Sequence, residues 1–196
     1  MADERIYLNL DQVEALERDI NVRRHIERYA LARQFLFGRV LDAACGVGYG
    51  TYLCQKNPDV IDITGIDIDA DSINWANEHF VTPKTRFVHT ALNEFNDENI
   101  DCLMTLETIE HLKRPSELVD LANRCKVHDI VLSFPLKKTT HYNPFHLWDF
   151  AAQDILDLFD GYSEVARVDQ ARDYLVMHLV RRRPRAYPPK RLPSYD

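Results

Sequence analysis

The sequence predicts an α/β fold, a mostly parallel seven-stranded sheet with helices on both faces and a C-terminal antiparallel hairpin. Three observations predict it. From Arg39 onward, short β-branched runs alternate with helical stretches, the pattern of parallel strands joined by crossover helices. A glycine-rich turn follows the first of those runs, where a doubly wound sheet binds its ligands. The last two strand-like segments are joined by only a short turn, which suits antiparallel neighbours.

The elements follow in order. Val13, Leu16 and Ile20 repeat at helical spacing, and after Asn21 a second apolar face runs through Ile26, Tyr29, Ala30 and Phe37 until Gly38 stops it. Arg39–Ala43 is a short strand, and a helix follows the glycines through Thr51–Cys54. Ile61–Asp67 is a second strand, Asp71–Phe80 a helix and Thr85–His89 a third strand. Ile100–Leu106 is the fourth, followed by a helix over Ser116–Cys125, and Asp129–Phe134 is the fifth. Ala151–Phe159 is helical until Gly161 breaks it, and Tyr162–Asp169 with Tyr174–Arg181 forms the hairpin. Residues 1–181 read as one domain with a helical cap over 1–37, and 182–196 as a basic, proline-rich, flexible tail.

Composition narrows the function. With 45% apolar residues in a chain of 196, a real core can form. No apolar run approaches the roughly 20 residues of a membrane span, and the charged start leads into no signal segment, so a cytoplasmic location is expected. Cys45, Cys54, Cys102 and Cys125 form no CxxC pair and read as reduced, mostly buried thiols. The net charge of −7 argues against a body that wraps nucleic acid, although Arg181 to Arg185 and Lys190-Arg191 make the C-terminus locally basic. Oligomeric state cannot be read from these features.

The segment Val40-Leu41-Asp42-Ala43-Ala44-Cys45-Gly46-Val47-Gly48-Tyr49-Gly50 places three alternating glycines after an apolar strand. Glycines let the backbone turn tightly and approach a ligand. A GxGxxG dinucleotide register fails, because Thr51 or Leu53 stands where its third glycine belongs, and no Gly-Lys-Ser/Thr follows for a Walker loop. What remains closely resembles the first motif of class I S-adenosylmethionine (SAM) methyltransferases, an acid before GxGxG, with Asp42 as the acid and Ala44 at the first glycine.

That resemblance extends over roughly Arg39 to Arg181. It implies a Rossmann-like fold with SAM as cofactor and S-adenosylhomocysteine (SAH) as product. The turn residues Asp42, Ala44, Cys45, Gly46 and Gly48 would hold the cofactor, with Asp67 and Ile68 at the ribose and Ala91 and Leu92 walling the adenine. Leu106 and Glu107 would stand beside the cofactor, while Arg28 would meet its carboxylate and Tyr29 would cover the sulfonium. The plain structural alternatives are a helix N-cap for Asp67, a role for which Asp71 is better placed, a surface arginine and a core tyrosine.

A second constellation follows the fourth strand. Glu107, Glu110 and His111 are spaced i, i+3, i+4, so a helical backbone would put them on one face, and His146 lies in a later loop expected over the same edge. Two carboxylates and two histidines suit a divalent metal. The E-x-x-E-H string with a later histidine resembles the metal site of small-RNA 2′-O-methyltransferases, and E-x-x-E-H alone is similar to that of ubiquinone-pathway O-methyltransferases. Without a metal, His111 first and His146 second are the candidate bases for an alcohol nucleophile. The loop from Ser133-Phe134-Pro135 to Phe150 resembles one in small-molecule and glycan O-methyltransferases, with Tyr142 exposed and Phe145 and Trp148 either stacking on an acceptor or packing beneath the loop. The expected activity is therefore O-methylation of a small molecule or glycan hydroxyl. A metal-dependent RNA 2′-O-methyltransferase and a non-catalytic cofactor-binding subunit remain the alternatives.

Overall fold

The computed structural model describes residues 20–170 and 173–182. Helix α1 (Ile20–Ala32) leads through a 3-10 turn at Arg33–Phe35 into strand β1 (Gly38–Ala43). Then come α2 (Tyr49–Cys54), β2 (Val60–Asp67), α3 (Ala70–His79), β3 (Thr85–His89) and β4 (Cys102–Leu106). A 3-10 turn at Ile109–His111 precedes α4 (Ser116–Arg124), β5 (Asp129–Pro135), α5 (Ala152–Leu158) and the hairpin β6 (Tyr162–Gln170) and β7 (Tyr174–Arg181).

The seven strands form one sheet in the order β3-β2-β1-β4-β5-β7-β6. Strands β1 to β5 pair in parallel, and β7 enters antiparallel between β5 and β6. The sheet is the Rossmann-like one that the alternating pattern predicts. Its order reverses at β1, whose neighbours are β2 and β4, and that switch point is where the cavity opens.

Both faces are covered, so the central strands are apolar throughout rather than alternating. Their side chains still point to opposite faces in turn. On β7, Tyr174 and Val176 join the core under α1, α2 and α3, while Leu175, Met177 and Leu179 join the core under α4 and α5. Strand β5 divides likewise, with Val131 on the first side and Ile130, Leu132 and Phe134 on the second. Each fully buried side chain of this kind stabilises the fold by roughly 1.5–3 kcal/mol. All four cysteines are buried free thiols, as their apolar neighbours suggest.

Three expectations change. The buried face of α1 is Val22, Tyr29 and Ala32 with Leu36 beyond it; Ala30 lies within the helix on its exposed side, and Phe37 is exposed because the chain leaves α-helical geometry at Arg33 and is extended by Leu36. The N-cap of α3 is Asp69, which accepts from the Ser72 backbone N–H at 2.9 Å, and Asp71 sits inside the first turn. Trp148 is 44% exposed rather than packed beneath its loop, while Tyr142 is exposed as anticipated. Val13, Leu16 and the tail from 183 onward lie outside the described residues. Among the described residues, no helix is long and apolar enough to cross a membrane.

Candidate active site

A cavity of about 500 Å³ opens at the carboxyl ends of β1, β2 and β4. Small-molecule sites commonly fall between about 300 and 1,000 Å³. Its floor is the turn after β1. Ala44, Gly46 and Gly48 all adopt left-handed backbone, with φ of 63°, 55° and 85°. The turn is pinned by Cys45 N–H donating to the Ile66 carbonyl at 2.9 Å and Gly48 N–H to the Cys45 carbonyl at 3.2 Å.

The glycines divide the work. A Cβ on Gly48 would sit 2.6 Å from the Ala76 Cβ and 2.7 Å from the Phe87 ring, and one on Gly50 would sit 2.0 Å from the Tyr29 ring. Those two positions let α3 and α1 close onto the turn. A Cβ on Gly46 would meet nothing within 4 Å, so its backbone faces open space in the cavity wall.

Two acids flank the turn differently. Asp42 is buried beneath it and accepts the Thr51 hydroxyl at 2.6 Å. Burial, reinforced by the nearby Asp67 charge and opposed by the Thr51 bond, raises its pKa to about 7. Asp67 lines the cavity, with one carboxylate oxygen taking the Gly46 N–H and the other the Asp69 N–H, both at 2.9 Å. These bonds fix its orientation.

Opposite the turn stand α1 and the end of β4. Arg28 lies over the Tyr174 ring, 4.8 Å from its centroid, and its guanidinium reaches Glu107 at 3.7 Å. The Ser133 hydroxyl donates to the other Glu107 oxygen at 2.7 Å. The Arg28 Nε and the Tyr49 hydroxyl are buried without a hydrogen-bond partner among the described residues. Tyr29 packs edge-on against Tyr49 with ring centroids 5.5 Å apart, and burial holds the hydroxyl of each firmly protonated.

The expected common helical face of Glu107, Glu110 and His111 does not form. Glu107 has a left-handed backbone (φ 50°) and precedes the 3-10 turn, so its carboxylate goes to Ser133 and Arg28. Glu110, His111 and His146 do come together, with one ligand-type atom from each lying within 4.8 Å of the others. His111 Nδ1 bonds the Phe145 carbonyl at 3.0 Å, and its Nε2 lies 3.9 Å from Glu110. A carbonyl only accepts, so Nδ1 carries a proton and, in the neutral ring, Nε2 carries the lone pair.

The segment between β5 and α5 straps over this edge. Besides the His111 bond, Leu147 N–H donates to the Glu110 carbonyl and the Trp148 indole to the Leu112 carbonyl, both at 2.8 Å. Its neck is closed by Asp149, which accepts the Thr139 N–H at 2.7 Å and the Thr140 hydroxyl at 2.7 Å.

Of the residues singled out from sequence, Arg28, Tyr29, Ala44, Cys45, Gly46, Asp67, Ile68, Leu106, Glu107 and His111 line the cavity. Asp42 and Gly48 lie behind the turn. Glu110 and His146 sit behind His111 rather than in the wall. Ala91 and Leu92 are not in the wall either: Leu92 packs toward the α4 core, its carbonyl accepts from Arg124, and the Ala91 carbonyl closes a local turn. Sequence reasoning gave no role to His25, Tyr49, Thr108, Leu112, Lys113 and Leu147, which reach the cavity through the turns that place them, although Tyr49 lies within the glycine turn itself. Burial, with Arg28 close by, lowers the His25 pKa to about 4 and keeps it neutral.

The fold and this cavity define a doubly wound α/β protein with its cavity at the β1 switch point. Residues 41–128 match the family described as Methyltransferase domain. The chain is 32% identical over 79 residues to phosphoethanolamine N-methyltransferase 3 of Arabidopsis thaliana, a match covering 38% of this chain and only 16% of that protein. Magnesium protoporphyrin IX methyltransferase from Synechocystis PCC 6803 with bound SAH superposes with a TM-score of 0.66 at 17% identity, over 91% of this chain and 90% of that one. The N-methyltransferase NodS from Bradyrhizobium japonicum WM9, in complex with SAH, gives 0.64 at 17% identity over 85% and 90%. Residues 41–128 thus match a methyltransferase domain, and the whole described fold is the one seen in solved SAM-dependent methyltransferases.

Proposed function

We propose that this protein methylates a hydroxyl of a small molecule or glycan with SAM, His111 removing the hydroxyl proton. The carrying observation is the His111–Phe145 bond, which fixes a cavity-wall imidazole in the tautomer whose Nε2 accepts a proton. The cavity fits the cofactor. Arg28 Nε and the Tyr49 hydroxyl are buried donors with no protein partner among the described residues, suited to its carboxylate. Asp67 is held ready for ribose hydroxyls, since a carboxylate offers about four acceptor positions. When bound, SAM supplies a methyl group activated by its positive sulfur.

The protein's own task is then modest. It aligns the acceptor oxygen, excludes water with Leu112, Phe145 and Leu147, and takes up the O–H proton at His111 Nε2 as the O–CH₃ bond forms. The test is incubation with labelled SAM and a panel of sugar nucleotides, catechols and short RNAs. Methylation of a small hydroxyl acceptor is expected, with His111→Ala lowering turnover at least about 100-fold while calorimetry still shows SAM binding. Methylation of RNA alone, or unchanged turnover in the variant, overturns the proposal.

A second reading rests on the convergence of Glu110, His111 and His146. One carboxylate and two imidazoles suit zinc, iron or manganese, and a metal there would lower the pKa of an acceptor hydroxyl. Glu107 stands outside that set. A chelator arm in the same assay separates the readings: loss of turnover restored by one added metal supports this one, and chelator-resistant turnover removes it.

A further inference from the structure

We propose that the acceptor is a ring with an apolar face and an anionic group, which Lys113 receives; this deepens the function proposed above and rests on it. The charged groups of the cavity differ in how they are partnered. Asp67 is bonded to two backbone N–H groups. Glu107 is bonded to Ser133 and paired with Arg28. His25 is held neutral by its burial and by Arg28. Lys113 also lines the cavity, exposed at its rim, and among the described residues it has no ion pair or hydrogen bond.

The surface beside Lys113 is apolar. Leu112 precedes it in the chain, and Pro144, Phe145 and Leu147 of the strap enter the same cavity. Three bonds that dock the strap end on the main-chain carbonyls of residues 110, 112 and 145, and none of them uses the side chain of Pro144, Phe145 or Leu147, so these can pack on a ring. An ammonium without a counter-ion at the edge of an apolar slot favours a ligand that fills the slot with a hydrocarbon face and brings the missing negative charge. A neutral sugar, or an amine-bearing acceptor, would leave Lys113 uncompensated. A carboxylate and a phosphate ester are both suitable anions.

Calorimetry on the protein saturated with SAH provides the test. Three probes are titrated: 1-naphthoate, 1-naphthyl phosphate and the neutral isostere 1-naphthalenemethanol. At least one anionic probe is expected to bind about tenfold or more tightly than the alcohol, and comparing the two identifies the preferred anion. Lys113→Gln is expected to bring the anions within about twofold of the alcohol, and Lys113→Arg to restore most of the preference. Alcohol binding as tight as both anions, preference surviving Lys113→Gln, or no binding of any probe overturns the inference. The SAH titration that precedes these reports separately on the proposed function. Absent SAH binding sinks that reading, whereas SAH binding with no anion preference sinks only this one.

Discussion

Strands β1 and β4 lie side by side, and each delivers the chain to the cavity through a non-glycine residue in left-handed backbone, Ala44 at φ 63° and Glu107 at φ 50°. That conformation costs an L-residue roughly 1–2 kcal/mol. At Ala44 the turn needs the backbone angle and asks nothing of the methyl group. The acid of that strand, Asp42, is hidden below the turn. At Glu107 the acid itself is displayed at the cavity, tied to Ser133 on one side and Arg28 on the other. The first strain is incidental to the side chain and the second is held in place by it, which is how strained residues persist at functional sites.

Three experiments break or sharpen this contrast. The largest effect is expected at the hidden acid. The Asp42 pKa is raised from its ordinary value of 3.8 to about 7, so the folded state favours the neutral form. The contribution of Asp42 to stability is therefore greatest below about pH 4, falls as pH rises toward 7 and is flat above. Asp42→Asn should gain stability over the parent by about 2–3 kcal/mol more at pH 8 than at pH 5, read by denaturant unfolding. A pH-independent difference would show that Asp42 is ionised throughout.

Next in size is Glu107→Gly. Glycine relieves the backbone but strips Arg28 of its partner, and a pair this well covered outweighs the relief, for a net loss of about 1–2 kcal/mol. SAH affinity should fall about tenfold with it. A variant more stable than the parent would mean that Glu107 is as incidental as Ala44. The smallest effect is Ala44→Gly, a gain of roughly 0.5–1 kcal/mol as the left-handed penalty exceeds the chain entropy of glycine. SAH titration should be unchanged. A loss of stability would show that the Ala44 methyl packs usefully.

The same contrast explains what the sequence disclosed. The strands were legible because short β-branched apolar runs are local signals, and β3 and β7 begin and end where those runs do. The turn after β1 was legible because left-handed backbone there recruits Gly46 and Gly48, and Asp67 was legible from its place at the end of β2. The arrangement after β4 was not. Nothing in Leu106-Glu107-Thr108 announces positive φ, so the i, i+3, i+4 spacing pointed to a helical face that one backbone rotation removes. Lys113 and Leu147 were invisible for a related reason: they meet in space only because the strap docks on the turn, 34 residues separating His111 from the carbonyl it bonds.

That strap has a consequence for how such a protein changes over generations. Its docking bonds end on the main-chain carbonyls of Glu110, Leu112 and Phe145, and its neck is closed by Asp149 well away from the cavity. The side chains of Pro144, Phe145 and Leu147 are thus decoupled from the bonds that seat the segment. Substitutions at those three positions would reshape the cavity wall while the His111–Phe145 carbonyl bond stays in place. A combinatorial library confined to those three positions would therefore vary the cavity wall while leaving the seating bonds in place.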